Sequence, residues 1–375
     1  MRLSLLAAAS AAAGASAARS LTITNACASA GVVIPTLGTG QQVSAPAGGW
    51  RLEAGASFTL SWPQAPTSAD IIFSGNFAFC ADEPPGRCAC DAAAAAAGPA
   101  PSATACRFAD DGPRTLAEIT LQARAEDFYD VSIINGVAPA VALGPAPRSA
   151  GAAGPGAPLA AGPFHCAKAG GGGASWRVEP PPDSALHYRA VRGGSGAACT
   201  DSAPTCAAAG EECGLAKRIG ESPSFRLACG LPLGSWTPAQ VCGSDASFNE
   251  APFFCATPVA NGPTATSTRW TFYGCTDGIS SCFSAGAAPT CCGCTTWSDV
   301  AGVPQEAGAH CASSNAEWLA VALPQLEPFK RACPTCYVFP YDDVSSTFTC
   351  SAFDTATGLN EANYALTFCP AAEAA

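Results

Sequence analysis

Two short runs of alternating polarity flank Arg124, one over Thr115–Leu121 and one beginning at Asp127. If they form an antiparallel hairpin turning near Arg124, Glu118 and Asp130 lie equidistant from the turn and face each other, with Cβ atoms roughly 4.5–5.5 Å apart. Alternation puts Ala117, Ile119 and Leu121 on one face, with Glu118 and Thr120 on the other. Val131 and Ile133 oppose Asp130 in the same way, so both carboxylates share the non-core face. Two carboxylates that close resist ionising together, which raises one pKa. An unequal pair is what general acid and base work in glycoside hydrolysis uses. Sugar binding without turnover, and plain solvated strand residues, are the competing readings.

The other candidate chemistries fit their surroundings less well. Cys88-x-Cys90 and Cys291-Cys292-x-Cys294 lack four-ligand zinc spacing, and there are only three histidines, so no metal is expected. Cys333-Pro-Thr-Cys336 has redox-motif spacing without a strand–motif–helix context, and reads as structural. His165, His187 and His310 sit apart from any nucleophile motif. Gly170–Gly173 lacks the Lys-Ser/Thr that phosphate cradling needs and reads as a linker. No cofactor is expected. Trp50, Trp62, Trp176 and Trp236 are read as buried rather than as sugar-stacking platforms.

These groups must be held by a particular kind of scaffold. Met1-Arg2, a short apolar stretch and Ala15-Ser16-Ala17 form the pattern of a signal peptide cleaved after Ala17, so a secreted, extracellular protein is expected. The 22 cysteines, even in number and spread from Cys27 to Cys369, predict a disulfide framework. The net charge of −11, one unit more negative without Arg2, disfavours nucleic acid and anionic membranes. No stretch is long enough for a transmembrane helix, and a soluble monomer is expected. With 38 glycines, 32 prolines and only 13% charged residues, the composition is that of a loop-rich, cross-linked globule.

Short β-like runs broken by turns extend from Leu21 to about Leu143, with an alanine-rich surface loop expected over Asp91–Pro101. Gly144–Pro182 is a Gly/Ala/Pro-rich connection, followed by a region held mainly by cysteines. One helix is predicted after the capping-box pattern Ser314-Asn315-Ala316-Glu317, interrupted by Pro324 and Pro328. The chain returns to β character at Thr347–Cys350 and Tyr364–Cys369. The expected layout is a signal peptide over 1–17, a β-sandwich from 18–148 with 337–370, and a disulfide-rich, partly helical lobe over 149–336.

Several segments resemble the thaumatin-like, pathogenesis-related proteins: Thr115–Leu121 with Asp127–Gly136, Cys291-Cys292, Phe329–Pro334, Tyr341-Asp342-Asp343 with Ser346–Cys350, and Thr367–Pro370. The resemblance implies a mainly β fold: a flattened antiparallel sandwich built from both chain ends, with a disulfide-rich second lobe and a small third one. It implies pairs Cys27–Cys369, Cys80–Cys88, Cys90–Cys106 and Cys292–Cys311, and leaves pairings within Cys166–Cys282 open. It also implies an acidic cleft holding Glu118 and Asp130, lined by Asn135 and Asp342. Two departures stand out. The family's third acidic position is Asn135 here, and the arginine usual ahead of the second family cysteine has no counterpart in Phe73–Cys80.

The function this implies is recognition of β-1,3-glucan or a related cell-wall polysaccharide, in defence or wall interaction. A weak endo-β-1,3-glucanase using Glu118 and Asp130 is the alternative, and a protein inhibitor or scaffold is a third.

Overall fold

The computed structural model describes residues 18–37, 49–62, 71–83, 85–90, 106–146, 162–171, 176–304 and 310–371. The signal-peptide segment 1–17 and the alanine-rich stretch 91–101 lie outside the described residues.

The strands are β1 (Arg19–Asn25), β2 (Gly31–Leu37), β3 (Trp50–Leu52), β4 (Ser57–Trp62), β5 (Ile71–Ala81), β6 (Cys88–Cys90), β7 (Cys106–Phe108), β8 (Leu116–Gln122), β9 (Asp127–Ser132), β10 (Val141–Pro145), β11 (Ala169–Gly170), β12 (Arg189–Arg192), β13 (Glu212–Lys217), β14 (Phe225–Ser235), β15 (Phe348–Cys350) and β16 (Tyr364–Phe368). Two sheets carry the sandwich, one ordered β11-β10-β16-β1-β4 and the other β15-β9-β8-β5-β2-β3. The second is antiparallel throughout. In the first, the two chain ends run parallel, β1 beside β16, within otherwise antiparallel neighbours.

Period-two alternation builds the core between the sheets. In β1 every second residue is buried, including Leu21 and Ile23, and β8 buries Ala117, Ile119 and Leu121 in the same way. Phe73, Phe77 and Phe79 project from β5, and Phe79 stacks on Phe368 of the opposite sheet at 5.0 Å. Each such ring contributes about 1.5–3 kcal/mol by leaving water. Trp50, Trp62, Trp176 and Trp236 are all buried, as expected.

All 22 cysteines are paired. Cys27–Cys369, Cys80–Cys88 and Cys90–Cys106 form as the resemblance implies. Cys292, however, bonds Cys275, and it is Cys294 that bonds Cys311. The expected Cys292–Cys311 pair is therefore corrected. Cys292 is fully buried and bonds Cys275 at the C-terminal end of the helix Arg269–Gly274, whereas Cys294 is only half-buried. Cys333 bonds Cys336, a structural pair as read from its context.

The second lobe carries a small three-stranded barrel of β12, β13 and β14 and several short helices. Its boundary differs from the expected one: β11 pairs with β10, and Cys166 bonds Cys350, so residues 162–171 are part of the sandwich. The predicted helix is two helices, α1 (Ala316–Val321) and α2 (Leu323–Ala332). Asn315, not Ser314, caps the first by accepting from the Trp318 amide at 3.1 Å. Glu317 instead accepts from Ala260 and Asn261 amides. Pro324 starts α2 rather than ending a helix, and Pro328 sits within it. Among the described residues no helix is long and apolar enough to cross a membrane.

Candidate functional site

β8 and β9 form the expected hairpin, and Glu118 pairs with Asp130 in its register. A buried clamp fixes that register. Asp127, at the start of β9, accepts from the Gln122 amide at 2.7 Å and from Tyr364 Oη at 2.7 Å, and it pairs with Arg19 across the sandwich. A one-residue slip of β9 would turn Asp130 inward, away from Glu118, and this clamp opposes it.

On the outer sheet face the two carboxyls stand directly opposed, and Asn76 of β5 is next to Glu118 in register. Burial pushes the Glu118 carboxyl above its ordinary value, against the opposing influence of Asp130 and Asn76. Asp130 is pushed up further, first by burial, then by Glu118 and by the charge of Asp343. Asp130 Oδ1 is buried without a hydrogen-bond partner among the described residues. Such a pair holds a proton between its members where an isolated carboxylate would have lost it.

The pair floors a cleft of about 390 Å³ lined also by Thr36, Ser74, Asn76, Thr120 and Phe128. Phe128 leaves 46% of its surface exposed there, and no lysine or arginine lines the cleft among the described residues. Thr120 donates to Ser74 at 3.0 Å, so hydroxyls and an amide surround the acids.

The other two expected cleft residues stand elsewhere. Asn135 is exposed in the turn beyond β9, where its carbonyl accepts from the Arg114 amide. It does not line the cleft. Asp342 is buried: it pairs with Lys330 Nζ at 2.8 Å and accepts from Trp297 Nε1 at 2.7 Å and from Ser345 at 2.6 Å. It holds the fold, not the cleft. Its exposed neighbour Asp343 supplies the third acidic charge, and it accepts from Tyr337 Oη at 2.6 Å. Sequence reasoning missed Asp343 and Phe128. The alternation that turns Asp130 outward also turns Phe128 outward, and was the signal available for it.

The Thaumatin family model matches residues 25–370. Pathogenesis-related thaumatin-like protein 3.5 of Cryptomeria japonica is 52% identical over 42 residues, which is 11% of this chain and 14% of that protein. Pathogenesis-related protein 5 of Arabidopsis thaliana is 50% identical over 42 residues, again 11% and 14%. The chain thus aligns with only a short part of these curated relatives. Among solved structures, the thaumatin-like xylanase inhibitor TLXI is similar at 20% identity, covering 33% of this chain and 74% of that one, with a TM-score of 0.21. The protein elicitor MoHrip2 from Magnaporthe oryzae is similar at 14% identity, covering 34% and 71%, with a TM-score of 0.21. The family model reaches from the first sandwich strand to the last residues after Cys369 and takes in the acidic hairpin, so the chain belongs to the thaumatin family.

Proposed function

We propose that this is a secreted, defence-related protein that binds β-1,3-glucan or a closely related neutral cell-wall polysaccharide in the acidic cleft, without turning it over. The observation that carries this reading is the cleft itself: Glu118 and Asp130 stand directly opposed on one strand pair, ringed by hydroxyls, an amide and the half-exposed Phe128, with no cation beside them among the described residues. Glycosidases set their two carboxyls about 5–5.5 Å apart for retention, or about 6.5–9.5 Å for inversion, so that the sugar or a water fits between them. Glu118 and Asp130 are directly opposed on one strand pair, close enough for the charge of Glu118 to raise Asp130. They act instead as one donor–acceptor unit for sugar hydroxyls, beside a half-exposed aromatic face.

The absence of a lining cation among the described residues points to a neutral ligand, since uronate-rich polymers would meet Asp343 and the pair as like charges. Export is supported by the paired cysteines, which need an oxidising compartment. The defence role is carried over from the names of the pathogenesis-related relatives.

A pull-down of the mature, disulfide-intact protein on insoluble β-1,3-glucan, cellulose, chitin and pectate tests the reading. Selective retention on glucan is expected. Equal retention on all four, or on none, would overturn it and direct attention to protein partners.

A further inference from the structure

A second cleft, of about 310 Å³, adjoins the acidic one on the same sheet face. Phe164, Asp343, Thr347 and Thr349 line it. The sheet register makes the two continuous. Thr349 of β15 pairs with Phe128 of β9, which pairs with Thr120 of β8, which pairs with Ser74 of β5. The segment around His165 adds to the sheet edge beside β15, with Cys166 donating to the Thr349 carbonyl and Thr349 donating to the Phe164 carbonyl. The Phe164 ring is braced on buried Phe348 at 5.9 Å.

Polar groups therefore cross the strands in rows, with Phe128 standing between the clefts. Strands lie about 4.8 Å apart, so the face from β15 to β2 extends about 19 Å. That is the length of several sugar rings, not of one.

We propose that the Phe164 cleft is a second sugar subsite, so that the ligand is an oligosaccharide laid across the strands over Phe128. The inference rests on the glucan-binding reading. Phe164 offers a ring face held by its own packing, which costs little ordering entropy on binding. Thr347, Thr349 and Asp343 offer hydroxyl and carboxylate partners for sugar hydroxyls. Asp343 joins the subsites, since its charge also reaches Asp130.

Isothermal titration of the mature protein with β-1,3-gluco-oligosaccharides from disaccharide to hexasaccharide tests this. Wild-type affinity is expected to keep rising beyond the trisaccharide. Phe164→Ala is expected to lose about tenfold on the hexasaccharide, equivalent to ~1.4 kcal/mol, with no change on the disaccharide. Because Phe164 packs on Phe348, the near-isosteric Thr349→Val serves as a second variant expected to show the same length-dependent loss in a protein of unchanged melting temperature. Wild-type affinity that stops rising at the trisaccharide, or variants that weaken all lengths equally, would overturn the subsite and leave glucan binding standing. Wild-type protein that binds no length of glucan would sink the functional reading and the subsite with it.

Discussion

Glu118 and Asp130 stand in register on adjacent strands with their carboxyls facing one another, and burial raises both above the ordinary carboxylate range. The folded protein thus keeps a proton that the unfolded chain releases. The stabilisation this gives is complete below about pH 4, where unfolded carboxyls are protonated, and is lost as pH rises through the pair's higher folded values. Groups such as Asp111, held low chiefly by its hydrogen bond to Lys217, change stability in the opposite sense. The test is therefore a difference between proteins: Asp130→Asn is expected to gain melting temperature relative to wild type on going from about pH 4 to about pH 8. A wild-type minus variant difference that is flat with pH would contradict the shared proton.

Asp342 and Asp343 are neighbours in sequence with separate roles. Asp342→Ala leaves Lys330 buried without its carboxylate, and is expected to cost about 3–5 kcal/mol in urea unfolding. Asp343→Ala removes an exposed group, and is expected to cost under ~1 kcal/mol while bringing Asp130 closer to its ordinary value. Carboxyl titration followed by NMR checks the second part.

Phe128 is expected to matter for binding and hardly at all for folding. Phe128→Ala should lower retention on insoluble glucan about tenfold, or ~1.4 kcal/mol. Its thermal unfolding should stay within about 0.5 kcal/mol of wild type, as for most exposed positions. Undiminished retention would remove the aromatic platform from the account.

Peptide mapping under non-reducing conditions should recover Cys275 linked to Cys292 and Cys294 linked to Cys311. Replacing Cys294 and Cys311 together by alanine opens a loop spanning a sequence separation of 17. The expected loss is about 3 kcal/mol.

The hairpin and its facing carboxyls were legible because alternation and distance from the turn both fix Glu118 opposite Asp130, and the observed register agrees. Where two like residues stand close together, the pattern could not choose between them. Tyr341-Asp342-Asp343 offers two carboxylates, and only the packing of Lys330 and Trp297 shows which one goes inward. Cys291-Cys292-Gly293-Cys294 offers three thiols within four residues, and only the packing shows that the first two are buried against Cys282 and Cys275 while half-buried Cys294 reaches Cys311. Arg19, fully buried at the edge of the expected signal peptide, gave no local sign of its partner Asp127, because that contact depends on how the two sheets stack.

Binding without turnover is tested most directly by measuring the release of reducing sugar from β-1,3-glucan by protein that is visibly retained on it. Retention with no release above a protein-free control is expected, for wild type and for Glu118→Gln alike. Release by the wild type that Glu118→Gln abolishes would overturn this and make the opposed pair a working acid and base.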